Sequence, residues 1–292
     1  MTESTQDQWA RWLLHCRHGG DPERIKAMLD FLYPVRDKVL SHAKLGDGET
    51  LLDVGSGDGL IAFGALEKIK DCRIIFSDIS QDLLDHAEAL AREMGVMDRC
   101  RFLRASADDL SAIPGSSVDA VTTRSVLIYV TPKQQSFDEF YRVIKPGGRL
   151  SIFEPINRFG WPSPPNRFAG YDVTPVMDIA AKVQAVYHRL QPPDSDPMLD
   201  FDERDMLMFA ERAGFKSIEM ELQAKIAFGG ARHSWEKFSQ SVGNPKIPSI
   251  AEAMAEALTP EEAERFTAHL RPLVEAGPGV HRSALMYLWA VK

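Results

Sequence analysis

The stretch LLDVGSGDGL (51–60) sets two carboxylates, Asp53 and Asp58, among three glycines, Gly55, Gly57 and Gly59. An apolar run that breaks into alternate glycines reads as a strand turning tightly into a helix. The backbone there is open to a ligand because no Cβ stands in the way. Turns of this kind often cradle phosphate, since helix N-terminal amides favour anions. Two features oppose that use here: Asp58 would repel a pyrophosphate, and a GxGxxG fingerprint needs glycine where this chain has Leu60. The loop therefore favours a ligand with positive charge or amine donors. Asp78 ends the next apolar run, RIIFSD, 19 residues after Gly59. A carboxylate there accepts hydrogen bonds from both hydroxyls of an adenosine ribose; the competing role, capping the next helix, can fall to Ser80. Asp53 either serves the ligand or hydrogen-bonds loop amides, and Asp58 also suits a helix start as a favourable acid.

These residues need a scaffold, and the spacing supplies one. Short apolar runs at 50–55, 73–78, 100–105, 118–124 and 148–154 read as buried strands. Helical spacing lies between several of them. Leu83, Ala87, Leu90 and Met94 recur at three- and four-residue steps, with Ser80 as N-cap and Gly95 as stop. In TPKQQSFDEFYRVIKPGG, Thr131 is expected to cap, Pro132 to open and Pro146-Gly147-Gly148 to end a helix. Strand–helix alternation means an α/β layer fold with a mainly parallel sheet and helices on both faces. The expected organisation is a helical N-terminal arm (1–45), a core (46–154), a lid insertion (155–200), a core helix and strand (201–228), a second helical lid insertion (229–281) and a final core strand (282–292).

With 34 basic and 42 acidic side chains, the net charge of -8 disfavours a nucleic-acid partner, which needs clustered Lys and Arg. Cys16, Cys72 and Cys100 are too few for a disulfide framework and form no CxxC pair, so no metal site is expected. The N-terminus lacks a signal-peptide core, and no apolar run approaches the roughly 18 residues of a membrane span. The expectation is a soluble cytoplasmic protein without membrane partners, acting on a small-molecule substrate; a homodimer is allowed.

S-adenosylmethionine (SAM), an adenosine joined to a sulfonium and an α-ammonium group, meets the demands of the glycine loop. At this point the chain resembles the class I SAM-dependent methyltransferases over about residues 48–154. The likeness rests on LLDVGSGDG, the acid of FSDIS, RASADDL after the third strand and YRVIKPGGRLSIFEP leading into the fifth. The resemblance implies a Rossmann-like seven-stranded sheet whose last strand is antiparallel, with S-adenosylhomocysteine as product. It also implies that Asp53, Gly55, Ser56 and Gly57 take the amino-acid part of SAM. Asp78 would hold the ribose, and Ile79 would lie against adenine. Ala107 and Asp108 would cover adenine and bind its exocyclic amine, and Arg124 and Ser125 would line the far side.

Transfer from a sulfonium is an in-line displacement with an activated leaving group, so alignment and water exclusion do much of the work. No universal catalytic residue is required. His233, which follows FGGAR in a loop where the second lid insertion should begin, is the best single base candidate, and Tyr129 and Glu154 fall near the carboxyl edge of the sheet, where open α/β folds place ligands. His15 and His18 lie on the arm. Phe159, Trp161, Phe168, Tyr171, Tyr187, Phe228, Trp235 and Phe238 in the insertions either line an apolar acceptor pocket or pack the lid. The leading expectation is methyl transfer to a small organic acceptor at O, N or C. The alternatives are an NAD(P)-dependent oxidoreductase and a non-catalytic SAM-binding or scaffold protein.

Overall fold

The computed structural model describes residues 6–16, 22–229, 232 and 234–292. The apolar runs form strands β1 (Thr50–Val54), β2 (Arg73–Asp78), β3 (Cys100–Arg104), β4 (Val118–Arg124) and β5 (Ile144–Pro155), joined late in the chain by β6 (Lys216–Phe228) and β7 (Val280–Val291). One seven-stranded sheet results, in the order β3-β2-β1-β4-β5-β7-β6. β1 pairs in parallel with β2 and β4, β2 with β3, and β4 with β5, whereas β7 runs antiparallel to β5. β1 is buried along four of its five residues and β2 along five of six, as expected of central parallel strands covered on both faces.

The helices are α1 (Gln8–Arg11), α2 (Pro22–Ala43), α3 (Leu60–Lys68), α4 (Gln81–Glu93), α5 (Lys133–Val143), α6 (Met177–Leu190), α7 (Glu203–Ala213), α8 (Trp235–Ser239), α9 (Ile250–Ala257) and α10 (Pro260–Ala276). α4 starts at the expected cap, the Ser80 hydroxyl accepting from the Leu83 amide at 3.1 Å. α5 departs from expectation. No side chain caps it, so Thr131 does not serve as N-cap, and it ends at Val143 rather than at the Pro-Gly-Gly. Ile144 instead pairs with Val118, and the strand absorbs the local stop signal through tertiary pairing.

The chain divides into two compact units. The first comprises Met1–Pro155, Phe201–Leu222 and Leu285–Lys292, and the second Ile156–Asp200 and Gln223–Ala284. The core of the first packs α2 and α3 side chains such as Val39, Ile61 and Leu66 with Leu51, Ile74 and Phe76 of the sheet. The second has its own apolar core, built from Phe168, Tyr171, Ile179, Val183, Trp235, Met254, Phe266 and Leu270. A two-residue ribbon, Arg167–Phe168 with Tyr171–Asp172, belongs to it. No helix among the described residues is long and apolar enough to cross a membrane.

Candidate functional site

β1 delivers Asp53 one residue before its end, and the chain then turns through Gly55–Gly59 into α3. Gly55, Gly57 and Gly59 have φ of 64°, 56° and 85°, the left-handed region that side chains disfavour. A Cβ on Gly55 would stand 2.2 Å from Cγ2 of Val126, so glycine is required there for space as well as for backbone angle. The loop is tied to β2. The Ser56 amide donates to the Ser77 carbonyl at 2.9 Å, and the Gly57 amide donates to Asp78 Oδ2 at 2.9 Å. Asp78 Oδ1 accepts from the Ser80 amide at 2.9 Å. Burial pushes the Asp78 carboxyl above the ordinary carboxylate range, against the pull of those amides.

Asp53 is almost fully buried. Its Oδ1 accepts from the Thr122 hydroxyl at 2.8 Å, a partner made neighbour by the Asp53–Thr122 register of β1 and β4. Its Oδ2 has no hydrogen-bond partner. Burial pushes Asp53 up to about 7, opposed by the Thr122 hydrogen bond and the charge of Arg124. Glu154, near the end of β5, is likewise fully buried. Its Oε1 accepts from the amides of Val126 at 2.8 Å and Leu127 at 2.9 Å, while Oε2 has no partner. Burial pushes it, too, up to about 7, opposed by those amides. Glu154 thus anchors the loop after β4, in which Ser125 takes φ of 56° and donates its amide to the Phe153 carbonyl at 2.9 Å. That loop carries Val126 against Gly55.

Buried polar groups normally find partners, and each one left bare costs about 1–3 kcal/mol. At or just beyond the carboxyl ends of β1, β2, β4 and β5, five side-chain atoms lack one: Asp53 Oδ2, Ser56 Oγ, Ser77 Oγ, Thr123 Oγ1 and Glu154 Oε2. Ser77 and Thr123 flank Val54 in register. Unsatisfied acceptors and hydroxyls beside a side-chain-free loop fit a ligand rich in donors, and two of the five atoms are carboxylate oxygens suited to a cation. This donor set fits SAM.

The adenine candidates follow from the neighbouring strand pair. Asp78 lies opposite Arg104, and the Ala105 amide donates to the Asp78 carbonyl at 3.0 Å, which brings Ala107 and Asp108 toward the same edge. Ala107 is buried and Ile79 exposed. Asp108 Oδ1 accepts from the Ser106 hydroxyl, and its carbonyl accepts from Gln135 Nε2 at 2.8 Å. Arg124, the last residue of β4, and Ser125, just after it, are half-buried. Among the described residues no three His, Cys, Asp or Glu side chains are grouped to hold a metal ion.

The N-terminal arm reaches these same loops. Asp7 caps α1, accepting from the amides of Trp9 at 2.9 Å and Ala10 at 3.0 Å. Its other carboxylate oxygen accepts from the Ser80 hydroxyl at 2.6 Å, and its own amide donates to Asp82 Oδ2 at 2.6 Å. Trp9 meets the ring of Tyr129 edge-on at 4.9 Å, and Leu13 lies 3.1 Å from where a Gly57 Cβ would be. Sequence reasoning missed Asp7, Trp9, Leu13, Thr122 and Val126. None carries a local signal, because each is brought to the site by pairing register or by packing over tens of residues.

Of the candidate bases, Tyr129 and Glu154 stand at this edge. His233 and His18 lie outside the described residues, and His15 is exposed, within 3.0 Å of Gln6. The aromatic residues of the insertions divide. Phe168, Tyr171 and Trp235 are core residues of the second unit, with Tyr187 and Phe238 packed against them, because its helices must bury an apolar centre of their own. Trp161 meets His188 edge-on at 5.4 Å, and Phe228 and Phe159 are exposed.

Residues 51–148 match the family model for a methyltransferase domain. A ubiquinone/menaquinone biosynthesis C-methyltransferase (UbiE) of Enterobacter sp. (strain 638) is 32% identical over 108 residues, 37% of this chain and 43% of that protein; the likeness spans less than half the length of such relatives. Among solved structures, a geranyl diphosphate methyltransferase in complex with SAM superposes with a TM-score of 0.53 at 18% identity, covering 94% of this chain and 92% of the other. The [4+2]-cyclase SpnF superposes with a TM-score of 0.51 at 21% identity, covering 89% and 80%.

Proposed function

We propose that this chain, whose residues 51–148 match a methyltransferase domain, is a class I S-adenosylmethionine-dependent methyltransferase that transfers a methyl group to a small organic acceptor at oxygen, nitrogen or carbon. The observation that carries this reading is the set of bare buried oxygens on Asp53, Ser56 and Glu154 around a glycine loop that a Cβ would block. Bound SAM supplies an electrophilic methyl group on a sulfonium, leaving S-adenosylhomocysteine as product. Asp78 accepts the ribose hydroxyls with the lone pairs left after its bonds to the Gly57 and Ser80 amides. Asp53, Gly55, Ser56 and Gly57 receive the amino-acid end. Ile79 and Ala107 lie against adenine, Asp108 accepts from its exocyclic amine, and Arg124 and Ser125 border the far side.

Glu154 positions the loop after β4, and its bare Oε2 and the Tyr129 hydroxyl are the polar groups assigned to the acceptor. A carboxyl near 7 can take or hold a proton at neutral pH, which suits an acceptor that must lose one. His233 is a base candidate by residue type. The segments Ile156–Asp200 and Gln223–Ala284 lie outside the matched domain. A small molecule, rather than nucleic acid, suits the net charge of -8, and it agrees with the quinone and geranyl diphosphate named for two similar proteins. A cytoplasmic setting agrees with the free thiols of Cys72 and Cys100. The homodimer allowed by the sequence would use β6, whose outer edge has no neighbouring strand among the described residues.

The test is incubation of the full chain with methyl-labelled SAM and a panel of phenols, quinols, amines, carboxylic acids and prenyl diphosphates. Label should move to at least one acceptor class, with S-adenosylhomocysteine formed in equal amount. Tight SAM binding without label transfer across the panel would refute catalysis and favour a SAM-binding protein that does not methylate; a neighbour on this fold is named as a cyclase.

A further inference from the structure

β6 closes one side of the sheet, and among the described residues no strand pairs with its outer edge. Long edge strands are usually blunted by proline, bulges or short length. β6 instead runs for 13 residues, KSIEMELQAKIAF, without proline or glycine. Its even-numbered positions 222–228 form an apolar row, Leu222, Ala224, Ile226 and Phe228, and all four are exposed, Phe228 at 83%. This is a concentration of exposed apolar surface on a strand able to accept a further strand.

The row also says which strand fits. An antiparallel pair of identical strands is two-fold symmetric about the residue that faces itself. Ser217, next to the start of β6, has a left-handed φ of 47°, and the register that pairs the extended residues 218–226 places Leu222 against Leu222. Ile218 then faces Ile226, and Met220 faces Ala224. On the opposite face Glu219 meets Lys225, once on each side of the dyad. Like charges never meet in this register. Glu221 faces Gln223 and keeps its ion pair with Lys38 within its own chain.

We propose that two copies of this chain pair through β6 as antiparallel neighbours centred on Leu222, joining the two sheets into one continuous sheet. The complementary Glu219–Lys225 pairs set the register.

Sedimentation analysis of the full chain tests this, with circular dichroism to verify folding of each variant. The wild type should be a dimer at tens of micromolar. Lys225→Glu puts Glu219 against a like charge twice per dimer and should weaken association at least about tenfold. The exchange Glu219→Lys with Lys225→Glu restores opposite charges and should restore the dimer. A monomeric wild type, a dimer indifferent to Lys225→Glu, or a double variant as weak as the single one would overturn the proposal.

Discussion

The two units treat buried polar groups in opposite ways. Every buried side-chain atom found without a hydrogen-bond partner among the described residues lies in the first unit, and five of them sit at or near the strand ends beside the glycine loop. In the second unit the buried polar residues are satisfied locally. Ser249 forms a capping box with Glu252, Asn244 bonds Gln191 and the Lys246 amide, Asp196 takes the Met198 amide, and Ser239 bonds the Glu236 carbonyl. One unit is closed by its own contacts; the other leaves polar atoms bare where a ligand would meet them. Functional sites of this kind are maintained at a cost in stability, and the second unit shows no such bare atom among the described residues.

The comparison breaks first if the second unit's core proves to be part of the cofactor site. Phe266→Ala removes a fully buried ring and should lower unfolding free energy by about 3–5 kcal/mol in urea titrations. The folded protein should still bind SAM within about threefold of wild type; a loss of affinity matching the loss of stability would erase the distinction. The converse change is Asp78→Ala. It should leave the fold intact by circular dichroism and weaken SAM binding by roughly 2–4 kcal/mol, through lost charged hydrogen bonds. A folded variant with unchanged affinity would refute the ribose assignment.

A smaller effect separates two left-handed glycines within the first unit. Gly55→Ala meets Val126 and should impair SAM binding together with stability. Gly95→Ala has φ of 68° but nothing within 4 Å, and should cost about 1–2 kcal/mol of stability with no effect on binding. Equal behaviour of the two would mean that the space at Gly55 does not matter.

The smallest effect is in pH. The folded pKa of Glu154 is raised to about 7, so the cofactor-free folded state holds a proton that the unfolded chain releases near 4.5. Its contribution to stability is present below about 4.5 and is lost as pH rises toward about 7. Glu154→Gln carries no ionisable group there. Its stability relative to wild type should therefore improve between about pH 5 and 7.5, and parallel curves would contradict the buried-carboxyl account.

Much of the sheet was legible because parallel strands buried on both faces leave continuous apolar runs, as RIIFSD does at β2. The placing of Asp78 at the end of β2 was legible because the apolar run RIIFSD ends on it, whereas its bonds to the Gly57 and Ser80 amides depend on how the loop folds back. Thr122, the partner of Asp53, was not legible: it depends on a register between strands 69 residues apart. The end of α5 was misread because Pro146-Gly147-Gly148 looks like a stop, while pairing of Ile144 with Val118 ends the helix earlier. The aromatic residues of the insertions allowed two readings, pocket lining or lid packing, because composition cannot separate a pocket wall from a core; Phe168, Tyr171 and Trp235 lie in the core of the second unit.

The most direct test is calorimetric titration of SAM into the full chain at neutral pH, for wild type, Asp78→Ala and Phe266→Ala. One binding site per chain is expected in the wild type and in folded Phe266→Ala, with binding largely lost in Asp78→Ala. Absence of binding to the wild type, or equal binding to wild type and Asp78→Ala, would contradict the claim that the bare polar atoms at the sheet's carboxyl edge are a SAM site.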